Sequence, residues 1–139
     1  MTGIGKPRTS KGLAVFCARI AQEKLAENII VMDLSSIESA PSDYFTICTC
    51  NSDIHVRAVA DAVLEKCVYF SIDKPRVDGK EYKEWMLLDF FDVIAHLMIE
   101  EKRSFYQLEK LWGDAKFWKL RDDGRLVSMK NVDIKTMYS

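Results

Sequence analysis

Residues 85–96, WMLLDFFDVIAH, set two carboxylates and an imidazole, Asp89, Asp92 and His96, into an otherwise apolar run. Carboxylates at this spacing beside a histidine are the groups that hold a divalent cation and position phosphates in metal-dependent nucleotidyl transfer. That chemistry also needs a phosphate cradle, either glycine-rich backbone or an unobstructed helix N-terminus. The stretch best suited to it is TCNSDIHV, where Cys50 stands in place of a glycine that would let a phosphate approach and Arg57 is the nearby cation. His55 and His96 are isolated histidines, read more readily as structural groups than as metal ligands. Nothing orients a base for Cys–His catalysis. On these residues alone no catalytic residue, no metal ligand and no cofactor is assigned, and the metal-dependent reading stays open.

The elements that carry the aspartates narrow their role. EWMLLDF and DVIAHLMI follow each other too closely to be joined by anything but a hairpin. With Phe91 and Asp92 as its two loop residues, Phe90 pairs with Val93. Alternation then puts Met86, Leu88 and Phe90 with Val93, Ala95 and Leu97 on one wholly apolar face, which must be core. The opposite face receives Trp85, Leu87 and Asp89 with Ile94, His96 and Met98. Such a mixed face has three readings. It is a half-exposed sheet surface with Asp92 in a turn, or a protein-binding surface with a tryptophan among aliphatic and charged groups, as in interface hot spots, or the metal-dependent site above.

Around the hairpin, Leu13, Val15, Phe16, Ile20 and Leu25 are spaced for a helix over Lys11–Glu27 with Ser10 as N-cap. NIIVMDL reads as a strand, SSIESAPSD breaks it, and YFTICTC is a second strand. NSDIHVRAVADAVLEKCVYF predicts a helix capped by Ser52 or Asn51, with Val56, Val59, Ala60, Val63 and Cys67 at core spacing. SIDKPRVDGKEY is a turn-rich connection with a short strand around Arg76 and Val77. Glu100–Trp112 predicts a helix burying Phe105, Leu108, Leu111 and Trp112 and ending at Gly113. The order predicts one α+β domain over residues 11–115, a mixed β-sheet flanked by helices. Residues 1–10 are expected to form a flexible N-terminus. Residues 116–139 are expected to form a basic extension, either a hairpin turned by DDG between FWKLR and RLVSM or a mobile arm.

Composition bounds the function. A chain of 139 residues with 48% hydrophobic and 29% charged residues suits one globular domain. The net charge of −1 leaves no global positive field for generic nucleic-acid binding. No apolar run reaches the roughly 18 residues of a membrane span, and no secretory apolar region precedes Leu13. A cytoplasmic protein is expected. Cys17, Cys48, Cys50 and Cys67 form no CxxC pair and read as core thiols.

Three segments, DYFTICTCNSDIHVRAVADAV, EWMLLDFFDVIAH and EKRSFYQLEKLWGDA, resemble in order and spacing the ribosomal silencing factor family, also called Iojap or RsfS, over Leu13 to Ala115. The resemblance implies a nucleotidyltransferase-like topology without nucleotidyl transfer, since fold does not carry activity with it. It further implies binding to the large-subunit ribosomal protein L-fourteen and steric exclusion of the small subunit, lowering translation. The family's DYF falls on Asp43, Tyr44 and Phe45, its NSxxH on Asn51, Ser52 and His55, its hairpin motif on Trp85, Asp89 through Asp92 and His96. Its helix motif falls on Arg103, Phe105, Tyr106, Leu108, Glu109, Leu111 and Trp112. The implied partner contacts are Trp85, Leu87, Asp89, Phe91, Asp92 and Tyr106. Homodimerisation through the same face and a minor ribosomal RNA contact through the basic tail are further expectations. Phe91 and Cys50 replace family glycines, so the hairpin turn either avoids positive φ or holds strain.

Overall fold

The computed structural model describes residues 4–81 and 83–138. Residues 1–3 of the expected flexible N-terminus, Tyr82 of the connecting segment and Ser139 of the tail lie outside the described residues. The first helix, α1 (Ser10–Glu23), starts one residue earlier than its apolar spacing suggested, because Thr9 is its N-cap and accepts from the Gly12 N–H. It ends at Glu23 rather than Glu27. Leu25 takes φ +66° and the Ala26 N–H returns to the Ala21 carbonyl, a left-handed cap normally built on glycine. Leu25, expected in the core, is accordingly exposed.

β1 (Glu27–Asp33) and β2 (Tyr44–Cys50) pair antiparallel, with the register broken between Glu27 and Ile30. α2 (Asp53–Tyr69) is capped by Ser52 and buries Val56, Val59, Ala60, Val63 and Cys67, as its spacing required. It is followed by β3 (Arg76–Asp78), then the hairpin β4 (Trp85–Asp89) and β5 (Val93–Ile99). The chain continues through α3 (Glu100–Tyr106), α4 (Leu108–Leu111), β6 (Lys116–Leu120), β7 (Leu126–Met129) and α5 (Asn131–Thr136). All the strands join one seven-stranded sheet, in the order β3-β4-β5-β2-β1-β6-β7. Only the β2–β5 pairing is parallel, because α2, β3 and β4 must cross over between them, so the sheet is mixed and the domain is α+β.

Each face of the sheet has its own core. On one side α1 and α2 bury Phe16, Ile20, Val59 and Val63 against Val31, Cys48, Leu88 and Leu97. On the other, Ile30, Met32, Phe45, Ile47 and Met98 pack with Leu108, Phe117 and Ile134. The DDG hairpin forms as expected, with Gly124 at φ +86°. It is no appended arm, because β6 pairs along β1 from Ile30↔Lys119 to Asp33↔Lys116. Phe117, Leu120 and Ile134 are buried, so the single domain runs past Ala115 to α5. The segment before α1 is likewise engaged, with Ile4 packed against the first core.

The expected helix over Glu100–Trp112 is split at Gln107, which has φ +46°. A straight helix would put Arg103 and Glu109 about 120° apart around its axis, on different faces. The left-handed residue between them lets both turn inward. Leu108 is then buried and Trp112 half-buried, but Phe105 and Leu111, expected inside, are 78% and 67% exposed.

Candidate docking face

The β4–β5 register is that of the two-residue loop Phe91–Asp92, with Trp85↔Met98, Leu87↔His96 and Asp89↔Ile94 as partners. Met86, Leu88, Val93, Ala95 and Leu97 are buried under α1 and α2, with Phe90 packed at their edge. The opposite face divides in two. Its β5 row, Ile94, His96 and Met98, is buried in the second core, whereas its β4 row, Trp85, Leu87 and Asp89, is half-exposed. The reading of that whole face as a half-exposed surface therefore holds for the β4 row alone, since the second core covers the other.

Trp85 sets the character of this row. Its indole Nε1–H donates inward to His96 Nδ1 at 3.2 Å, so the ring's one donor is already satisfied. What it presents outward is ring carbon. Tyr106 from α3 lies against it with ring centroids 4.8 Å apart, and Phe105 meets Tyr106 edge-on at 5.0 Å. The backbone beneath is pinned from two sides. Ile99 N–H bonds the Glu84 carbonyl, and Gly79, at φ +86°, lies so close that a Cβ there would sit 2.1 Å from the Trp85 carbonyl oxygen. Only glycine permits that approach.

His96 accepts from Trp85 through Nδ1, which places its own proton on Nε2, a buried N–H with no partner among the described residues. Burial drops its pKa to about 3, so near neutrality it is an uncharged core group and a poor base. Phe45 packs edge-on against it at 4.4 Å.

The two aspartates serve separate structural tasks. Asp89 Oδ1 accepts the Phe91 N–H at 2.8 Å, closing the turn, and Oδ2 pairs with Arg76 at 3.3 Å. Asp92 holds the hairpin to its neighbours. Its carbonyl accepts from the Asp43 and Tyr44 N–H groups, and its carboxylate from Ser10 Oγ at the start of α1. α1 covers the opposite sheet face, so Asp92 is turned away from the β4 row. Phe91, between them, holds strain rather than avoiding it, with φ +78° and 84% of its surface exposed. Of the expected contact residues, then, Trp85, Leu87, Asp89 and Tyr106 share one face, Phe91 stands at its tip, and Asp92 does not join it.

The place for a phosphate cradle is filled. Ser52 Oγ caps the His55 N–H, and His55 Nδ1 accepts from Asn51 N–H while Nε2 donates to the Lys24 carbonyl at 2.6 Å. Cys50 is buried at the strand end. Among the described residues, no three His, Cys, Asp or Glu side chains are grouped to hold a metal ion. All four cysteines are free and buried, and burial raises the Cys67 thiol to about 11.

The sequence reading missed Arg103 and Glu109 as a buried unit. Arg103 donates to Glu109 Oε2 through Nε and Nη2 at 3.0 and 2.8 Å, to Thr49 Oγ1 at 2.8 Å, and to the Asn28 carbonyl. Tyr138 completes it by donating to Glu109 Oε1 at 2.9 Å. The signal available was an arginine and a glutamate inside an apolar helix pattern. Phe105 was also missed as part of the exposed aromatic cluster.

The model of the family described as "Ribosomal silencing factor during starvation" matches residues 7–136. This chain belongs to the ribosomal silencing factor family. It is 37% identical over 105 residues to the ribosomal silencing factor RsfS of Bacillus subtilis, covering 76% of this chain and 88% of that one. A crystal structure of a Chromobacterium violaceum protein superposes with a TM-score of 0.71 at 27% identity, covering 76% of this chain and 88% of the other. The mouse "Mitochondrial assembly of ribosomal large subunit protein 1" is 28% identical over 96 residues, which span 67% of this chain and 42% of that protein. Membership supports a ribosome-associated silencing role, and the family match takes in β6, β7 and α5 together with the rest of the sheet. No helix among the described residues is long and apolar enough to cross a membrane.

Proposed function

We propose that this protein represses translation in the cytoplasm by binding the large ribosomal subunit through its L-fourteen protein and sterically blocking the small subunit from joining. The β4 row is the docking face, with Trp85 as anchor, Leu87 and Tyr106 beside it, Asp89 facing basic residues of the partner and Phe91 at the rim. The observation that carries this reading is the state of Trp85. Its indole N–H is bonded inward, its ring is half-exposed, and Tyr106 and Leu87 flank it. A large, rigid aromatic with no unsatisfied donor is the kind of group that supplies most of an interface's energy. The name of the mouse relative, which refers to large-subunit assembly, favours that subunit as the partner. A second copy of the chain would compete for the same aromatic face, so self-association would reduce ribosome binding.

The test is co-sedimentation with purified large subunits. Trp85→Ala should weaken binding by about 2 kcal/mol or more, roughly thirtyfold, while keeping the wild-type fold. A folded Trp85→Ala protein that binds as tightly as wild type would remove the β4 row as the docking face.

A further inference from the structure

The chain carries a net charge of −1, yet Lys6, Arg8, Lys11 and Arg19 gather along one flank of α1. A groove of about 450 Å³ runs between residues 4–12 and the helix, lined by Lys6, Lys11 and Arg19 over Val15 and Phe16, with no aspartate or glutamate in its wall. The adjoining depression shares Lys6, adds Arg8, and has Asp92 as its one carboxylate. Among the described residues none of the four cations forms an ion pair. Lys6, Arg8 and Lys11 are exposed. Arg19 bonds the Gly124 carbonyl through Nη2 at 3.3 Å, and its buried Nε has no partner among the described residues. The Lys11 ammonium lies 4.1 Å from the centre of the Trp118 ring.

The basic tail, where an RNA contact was expected, is different. Arg121 and Arg125 share Asp123. Burial would raise the Asp33 pKa, but the Ser35 hydrogen bonds and, after them, the charge of Lys116 lower it. Lys119 lines a cavity on the other sheet face with Glu100 and Asp133. Two of the tail's cations are thus tied to one carboxylate and Lys119 opens toward the other sheet face beside acidic groups, while the cations of the α1 groove line adjoining depressions whose walls hold a single carboxylate.

We infer that the α1 groove binds the phosphodiester backbone of ribosomal RNA, while the β4 row holds the protein partner. Resting on the proposed ribosome docking, it gives that docking a second contact. Unpaired cations strung along a groove exchange condensed counterions for successive phosphates. The Trp118 face beside them, now covered by Lys11, offers a base a stacking surface that an acidic peptide would not use.

The test measures fluorescence anisotropy of a labelled short polyuridylate from about 50 to about 200 mM KCl, beside co-sedimentation with large subunits over the same salts. Proteins are wild type, Trp85→Ala, and the triple variant Lys6→Gln/Arg8→Gln/Lys11→Gln, with Lys6→Glu alone as a milder second variant. Each lost phosphate contact removes about 0.7 from the slope of log affinity against log salt, so the triple variant should lower the slope by about 2. It should also bind the oligonucleotide at least about tenfold more weakly at the lowest salt, with Lys6→Glu intermediate and Trp85→Ala unchanged. Wild type failing to bind the oligonucleotide, variants matching wild type in affinity and slope, or polyglutamate competing as well as RNA would each overturn the inference. Oligonucleotide binding without subunit binding would sink the ribosome reading and leave the groove an RNA site.

Discussion

Removing the arginine of the buried Arg103–Glu109 pair should cost far more than removing both partners together. Glu109 is fully buried and Arg103 is 3% exposed. Two of the Arg103 donors go to one Glu109 oxygen, and others reach Thr49 and Asn28 on β2 and β1. In Arg103→Met the Glu109 carboxylate keeps Tyr138 as its hydrogen-bond donor and has lost its counter-charge. Breaking one side of a buried pair costs about 3–5 kcal/mol, against a total of about 5–15 kcal/mol for an ordinary domain. With an unfolding entropy of about 0.3 kcal/mol/K for a chain of this length, that lowers Tm by about 10–17 °C. Arg103→Met/Glu109→Leu buries no orphaned charge and should be more stable than Arg103→Met alone. Guanidinium denaturation of wild type, both single variants and the double variant closes the cycle. A loss below about 1 kcal/mol in Arg103→Met, or a double variant whose loss equals the sum of the singles, would refute the reasoning.

Phe91→Gly should relieve about 1–2 kcal/mol of left-handed strain and return up to about 1 kcal/mol through greater freedom of the unfolded chain. Stability should therefore stay level or rise slightly while ribosome binding weakens with loss of the exposed ring; denaturation plus co-sedimentation checks both, and a clear loss of stability contradicts the strain. His96 makes a pH prediction. Its folded pKa, about 3, lies below the ordinary histidine value, so the unfolded chain binds the extra proton between about pH 6.5 and 3. The stabilisation is complete above that window and is lost as pH falls through it, at up to about 1.4 kcal/mol per unit. His96→Leu should flatten stability between pH 6.5 and 5, and an unchanged slope would show that His96 is not the group responsible.

How much was legible depended on how local the deciding contacts are. The β4–β5 register followed from alternation and the shortest loop that closes the hairpin, and α2 from the Ser52 cap and its apolar spacing. Phenylalanine in place of the family glycine at Phe91 left either a turn without positive φ or a strained one, and φ +78° decides for strain. Burial of Ile94, His96 and Met98 was not legible, because Leu108, Phe117 and Ile134 of the covering core come from α4, β6 and α5, remote in sequence. The break at Gln107 was hidden for the same reason. Arg103 turns inward for Thr49 and Asn28, partners more than fifty residues away. Incorporation of the tail into the sheet rests on β1–β6 pairing, a long-range match that composition alone does not reveal.

The most direct test of occlusion mixes separated small and large ribosomal subunits in associating magnesium and resolves them on a sucrose gradient, with increasing protein added to the large subunit first. Occlusion through the β4 row predicts that wild type shifts material from joined ribosomes to free subunits and co-migrates with the large one, and that Trp85→Ala does neither at the same concentration. Wild type that binds the large subunit while joined ribosomes form at the normal level would contradict the claim that this protein silences by blocking subunit joining.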